Sequence, residues 1–143
     1  MTESYNRTFL AFDYGSRRIG VAKSDPMGII ASALVTLEVK SQKEALVKIE
    51  ELINEYEPNG IIFGYPLLRS GDKSDKCEEI DSFITRLEKL YTGKIYRVDE
   101  YSTSEEAAAI IQAHGIKSGK DKKRIDRLAA VIILERFLEE NRA

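Results

Sequence analysis

The chain has 143 residues, is 43% hydrophobic and 32% charged, and carries a formal net charge of −2, which suits a single globular domain over residues 1–143 with a real core. No apolar run is long enough to cross a bilayer, and Met1–Thr8 lacks the apolar centre of a signal peptide, so no membrane partner and a cytoplasmic location are expected. The lone cysteine, Cys77, cannot close an internal disulfide, and one Cys with one His excludes a Cys/His zinc site, so any metal must rest on oxygen ligands, which favours Mg²⁺ or Mn²⁺.

The first element read along the chain is a hairpin. Thr8–Asp13 is an apolar run ending on an acid, Gly15-Ser16-Arg17 forms a turn, and Arg18–Ser24 is a second strand. Asp13 stands where the first strand leaves the sheet; Asp before a glycine turn is also ordinary turn chemistry, and this stretch alone leaves both readings open. Asp25-Pro26-Met27-Gly28 turns into a third strand, Ala31–Glu38. Ser41-Gln42-Lys43-Glu44 is a capping box, and Leu46, Ile49, Ile53 and Tyr56 repeat at helical spacing up to Pro58. Gly60–Gly64 is wholly apolar, as expected of a central strand covered on both faces. A loop through Pro66, Arg69 and Gly71 precedes a helix predicted from Ser74 to Tyr91, on whose apolar stripe Cys77 falls. A strand over Ile95–Val98 ends on Asp99-Glu100. Ser102–Glu105 offers another capping box, for a short helix to His114 with Gly115 as its stop. A basic loop follows, and a last helix is predicted from Arg124 to Glu140. The pattern implies an α/β fold: a mixed five-stranded sheet with helices on both faces, and a reacting site beyond the carboxyl ends of its strands.

Three carboxylates stand out by position: Asp13 after strand one, Glu100 after the last strand, and Asp126 at the start of the last helix. Asp126 shares a helical face with Ala130, Ile133 and Phe137, so it lies on the buried stripe and needs a partner or a metal; the competing reading is an acid favoured by the helix dipole. Converging acids with open water positions would suit one or two Mg²⁺ ions and phosphodiester cleavage. Gly115–Arg127 holds six basic residues, Lys117, Lys120, Lys122, Lys123, Arg124 and Arg127, against two acids. With Arg17, Arg18 and Arg69, this cluster supplies candidate phosphate contacts, although any one such residue can equally be solvated surface charge. No GxxxxGK[ST] or GxGxxG phosphate loop is present.

Phe12-Asp13-Tyr14-Gly15-Ser16-Arg17-Arg18-Ile19-Gly20-Val21-Ala22 resembles the opening motif of the YqgF/RuvX family. Ser24-Asp25-Pro26, Phe63-Gly64-Tyr65-Pro66-Leu67, Val98-Asp99-Glu100 and Ile125-Asp126-Arg127-Leu128-Ala129-Ala130 follow in that family's order. The resemblance implies an RNase H-like fold and a nuclease: one that matures the 5′ end of 16S rRNA, or a Holliday junction resolvase. It also implies catalytic, Mg²⁺- or Mn²⁺-binding roles for Asp13, Glu100 and Asp126. Pre-rRNA or branched DNA would be the substrate, ribosomal precursor particles a partner, and the protein a monomer or homodimer. Two stretches depart from the family pattern: Tyr101 replaces the usual arginine after Asp-Glu, and the loop Tyr65–Ser70 differs. Two further classes fit parts of the chain: a non-catalytic RNA- or ribosome-binding module on the same fold, and an actin-like phosphotransferase, against which the short chain and the missing second phosphate loop argue.

Overall fold

The computed structural model describes residues 8–99, 109 and 119–141, with the side chains of 119–121 left aside. Five strands, β1 (Phe9–Asp13), β2 (Arg18–Ser24), β3 (Ala31–Glu38), β4 (Gly60–Tyr65) and β5 (Lys94–Asp99), form one sheet in the order β3-β2-β1-β4-β5. β1 pairs antiparallel with β2 and β2 with β3, while β4 and β5 run parallel to β1. The C-terminal ends of β1, β4 and β5 therefore share one edge, where Asp13 and Asp99 lie.

Side chains alternate across a strand, and β1 divides its residues between two cores accordingly. Leu10 and Phe12 pack toward α1 (Gln42–Tyr56) and α2 (Asp75–Leu87), meeting Leu46, Ile49, Ile80, Phe83 and Leu87. Phe9 and Ala11 pack toward α3 (Gly119–Glu140), meeting Ala130, Ile133 and Phe137. β1 and β4 are buried throughout, as expected of central strands covered on both faces. By parity, Asp13 belongs to the α3 side.

Local chemistry sets most boundaries. Ser41 caps α1, its Oγ accepting from the Glu44 N–H, and the Glu44 carboxylate reaches back to the Lys40 N–H at 2.7 Å, one residue earlier than a standard capping box. α1 stops at Glu57, which adopts a left-handed conformation before Pro58. Ser74 caps α2. α2 ends at Leu87, short of the Tyr91 read from the sequence, because the chain tightens there: the Leu90 N–H donates to the Leu87 carbonyl at 2.8 Å. Tyr91 nevertheless packs on the core, and its hydroxyl donates to the Pro58 carbonyl, so its apolar spacing was a packing signal rather than a helical one.

The larger correction concerns α3. It begins at Gly119, not Arg124, so Lys120, Lys122 and Lys123 lie on helix rather than in a loop. A charge run carries no apolar period from which to read a helix, and here tertiary contact supplies the missing support: the Thr36 hydroxyl of β3 donates to the Lys123 carbonyl at 2.6 Å. Apart from residue 109, which is helical, the helix proposed for 102–114 lies outside the described residues, as do Glu100 and Lys117.

Candidate active site

Asp13, Gly20 and Thr36 are register partners across β1, β2 and β3. They form one row on the α3 face, and α3 crosses the sheet over this row. The approach is so close that a Cβ on Gly20 would sit 1.9 Å from the Asp126 carbonyl oxygen. Glycine at this position therefore lets the helix backbone touch the sheet, and it sets Asp126 beside Asp13. Arg127 secures the same crossing, its guanidinium donating to the Thr36 hydroxyl at 3.2 Å.

Asp13 is only 7% exposed. It shares a hollow of about 300 Å³ with Asp126, the turn Tyr14–Arg18 and Lys76. Asp126 lies seven residues past the first residue of α3, beyond the single turn over which a helix dipole acts. The helix-dipole reading of this acid thus loses its premise. Its partner is Arg18, whose Nε donates to Asp126 Oδ2 at 2.6 Å. Ala130, Ile133 and Phe137 are buried on the same helical face, as the periodicity implied.

Tyr14 closes one side of the hollow. Burial pushes its phenol above the ordinary value, Glu79 adds to the rise, and the Gln42 hydrogen bond and Arg86 oppose it. The phenol therefore stays protonated at neutral pH and cannot serve there as a base. At the same sheet edge, Asp81 accepts from the Tyr65 hydroxyl at 2.8 Å, from Lys73 at 3.1 Å and from Arg97 at 3.0 Å. Burial raises the Asp81 pKa, but these three donors outweigh it and hold the carboxyl below its usual range. Arg136 of α3 donates to the Asp99 carbonyl at the end of β5.

A second hollow of about 560 Å³ adjoins the first through Arg17 and Arg18 and is lined also by Lys40, Lys48, Lys122 and Lys123. Of the basic residues singled out in the sequence, Arg17, Arg18, Lys122 and Lys123 thus gather beside the acids. Arg124 and Arg69 are exposed and line neither hollow; the Lys120 backbone is helical. Lys40, Lys48 and Lys76 were missed. Nothing in their local sequence marks them, because they reach these hollows, from the β3–α1 connection, α1 and α2 respectively, only through the fold.

Both acids present oxygen donors to one small cavity, which is the donor chemistry that Mg²⁺ and Mn²⁺ take. Among the described residues no group of three His, Cys, Asp or Glu side chains forms a metal cluster; Glu100, the third acid expected, is outside them. No described helix is long and apolar enough to cross a membrane.

Comparison with known proteins bears on this arrangement. A protein from Ruminiclostridium cellulolyticum assigned as a pre-16S rRNA nuclease is 39% identical over 91% of this chain and 92% of its own length. One from Syntrophus aciditrophicus with the same assignment is 38% identical over 91% and 87%. Among solved structures, Thermus thermophilus RuvC in complex with a Holliday junction superposes with a TM-score of 0.62 at 10% identity, covering 96% of this chain and 98% of that one. Fowlpox virus resolvase with its junction DNA gives 0.60 at 12% identity, covering 95% and 99%. These two likenesses establish the RNase H-like fold. A family model described as RuvX, Holliday junction resolvase, matches residues 7–140, and with relatives this similar over most of its length, the chain belongs to the RuvX family.

Proposed function

We propose that the protein is a metal-dependent nuclease that hydrolyses phosphodiester bonds in structured nucleic acid, with the 5′ end of pre-16S rRNA as its foremost substrate and branched DNA as the alternative. The observation that carries this reading is the meeting of Asp13 and Asp126 in one hollow beside a basic channel. They come from opposite ends of the chain, and the Gly20 contact brings them together. In this reading Asp13, Asp126 and Glu100 hold Mg²⁺ or Mn²⁺, which when bound supplies an activated water and charge stabilisation at phosphorus. Arg17 and Lys76 attract and orient the phosphate. Arg18 neutralises Asp126, which limits repulsion between the acids before metal arrives. The names of the relatives support rRNA as substrate.

One observation favours the second reading, a non-catalytic nucleic-acid-binding module: Arg18 already occupies Asp126, so a metal must compete with a guanidinium. Purified protein incubated with pre-16S rRNA and with a four-way DNA junction, in Mg²⁺, Mn²⁺ or EDTA, separates the readings. Metal-dependent cleavage of either substrate, abolished by EDTA and by Asp13→Asn, is expected. Tight binding without cleavage in any metal would leave only the binding module.

A further inference from the structure

We propose that the larger hollow is a backbone track: it holds the phosphates of the strand whose scissile phosphate reaches Asp13 and Asp126, and Lys40 and Lys48 are its positioning residues. The inference rests on the nucleic-acid reading above and extends it to a direction and to residues on a different element. The track starts at the acids. Arg17 and Arg18 line both hollows, so a strand leaving the carboxylates meets these two arginines first. From there it passes between the start of α3, with Lys122 and Lys123, and the β3–α1 junction and first turns of α1, with Lys40 and Lys48.

The local structure makes this junction rigid. The Val39 N–H donates to the Arg17 carbonyl at 2.9 Å, tying the junction to the hairpin turn. The Glu44 carboxylate accepts the Lys40 N–H, and Lys48 Nζ donates to the Glu38 carbonyl at 2.8 Å. Two acids line the hollow, and each faces a lysine: Glu38 pairs with Lys123, and Glu44 with Lys48 at 3.6 Å. Among the described residues no ion pair includes Arg17, Lys40 or Lys122. The lining therefore keeps a positive surplus, spread along one channel rather than collected at a point. A point of charge would suit a single anion; a channel running from the acids suits a polyanion, and phosphodiester backbone is the polyanion that this site would act on.

The test compares two double variants of the full chain. Lys40→Ala with Lys48→Ala removes two charges from the track. Lys89→Ala with Lys94→Ala removes the same charge from exposed positions outside both hollows. Binding is read by anisotropy in EDTA over a salt series, with a labelled single-stranded RNA, its DNA counterpart and a four-way DNA junction as probes. The track predicts that the first pair weakens binding about tenfold at low salt and flattens the log–log salt slope by about 1.4 for single strands and about 1.8 for duplex arms. The second pair should change neither. Loss for RNA alone or for DNA alone supports the track and names its polymer. Equal effects from the two pairs, or none from the first, overturn it. Lys40→Glu alone, on an exposed side chain, repeats the measurement without touching the Lys48–Glu38 hydrogen bond. Because binding is read without metal, failure of the wild type to cleave would sink the nuclease reading and leave this measurement intact.

Discussion

Gly20→Ala is the most direct probe of how the site is assembled. Gly20 has an ordinary backbone conformation, since only Gly28 and Gly71 among the described glycines have positive φ. An alanine there pays no dihedral cost, and any effect comes from the methyl group itself. That carbon would sit 1.9 Å from the Asp126 carbonyl oxygen, 2.2 Å from its carbonyl carbon and 2.9 Å from the Arg127 nitrogen. A carbon–oxygen contact needs about 3.3 Å, so α3 must retreat by roughly 1.4 Å. Backbone cannot rotate aside as a side chain can, which places the cost near the top of the overpacking range, about 3 kcal/mol. At about 2–4 °C per kcal/mol the melting temperature should fall by roughly 6–12 °C. The same retreat carries Asp126 away from Asp13 by more than the spread of metal–oxygen distances, about 2.0–2.6 Å, so Mn²⁺ affinity should fall too. Gly60→Ala is the control. The nearest atoms to its methyl would be those of the Tyr96 and Phe9 rings, at 3.1–3.3 Å, and these side chains can shift where backbone cannot, so a change at the low end of the overpacking range, about 1 kcal/mol, is expected. Thermal and urea unfolding with Mn²⁺ titration calorimetry read both variants. A Gly20→Ala protein that melts with the wild type and binds Mn²⁺ unchanged would refute the argument that this contact sets the site.

Further outcomes follow from the same geometry. Asp126→Asn removes the charge that Arg18 faces; with Arg18 39% exposed in its side chain, the ion pair is largely screened and urea unfolding should show a loss below about 1 kcal/mol, while cleavage drops by orders of magnitude. Full activity in that variant would remove Asp126 from the chemistry. Ser41→Ala deletes the acceptor for the Glu44 N–H and should cost about 1 kcal/mol in urea unfolding. Asp25 is held below its usual pKa, first by the Ile30 N–H and then by those of Ile29 and Met27. A depressed carboxyl contributes stability that is fully present above its unfolded value, near 4, and is lost as pH falls through the folded one. Protection of the Ile29 and Ile30 amides against exchange, relative to their intrinsic rates, should therefore fall below about pH 4, and Asp25→Ala should show that low protection at neutral pH.

Much of this molecule was legible without coordinates. Apolar runs bounded by turn residues marked the strands, Ser41 and Ser74 marked two helix starts, and Asp126 with Ala130, Ile133 and Phe137 marked the buried face of α3. These are local properties: each depends on residues a few positions apart along one element. What tertiary structure decided depends on which faces meet. The first turns of α3 meet Thr36 of β3 at the Lys123 carbonyl, the nearness of Asp126 to Asp13 rests on a missing side chain at Gly20, and the partner of Asp126 is Arg18, 108 residues away. Lys40 and Lys48 joined the basic channel for the same reason. A sequence records what a residue is and what lies beside it on its own element; only the packing of α3 and α1 around the sheet determines which charges share a cavity.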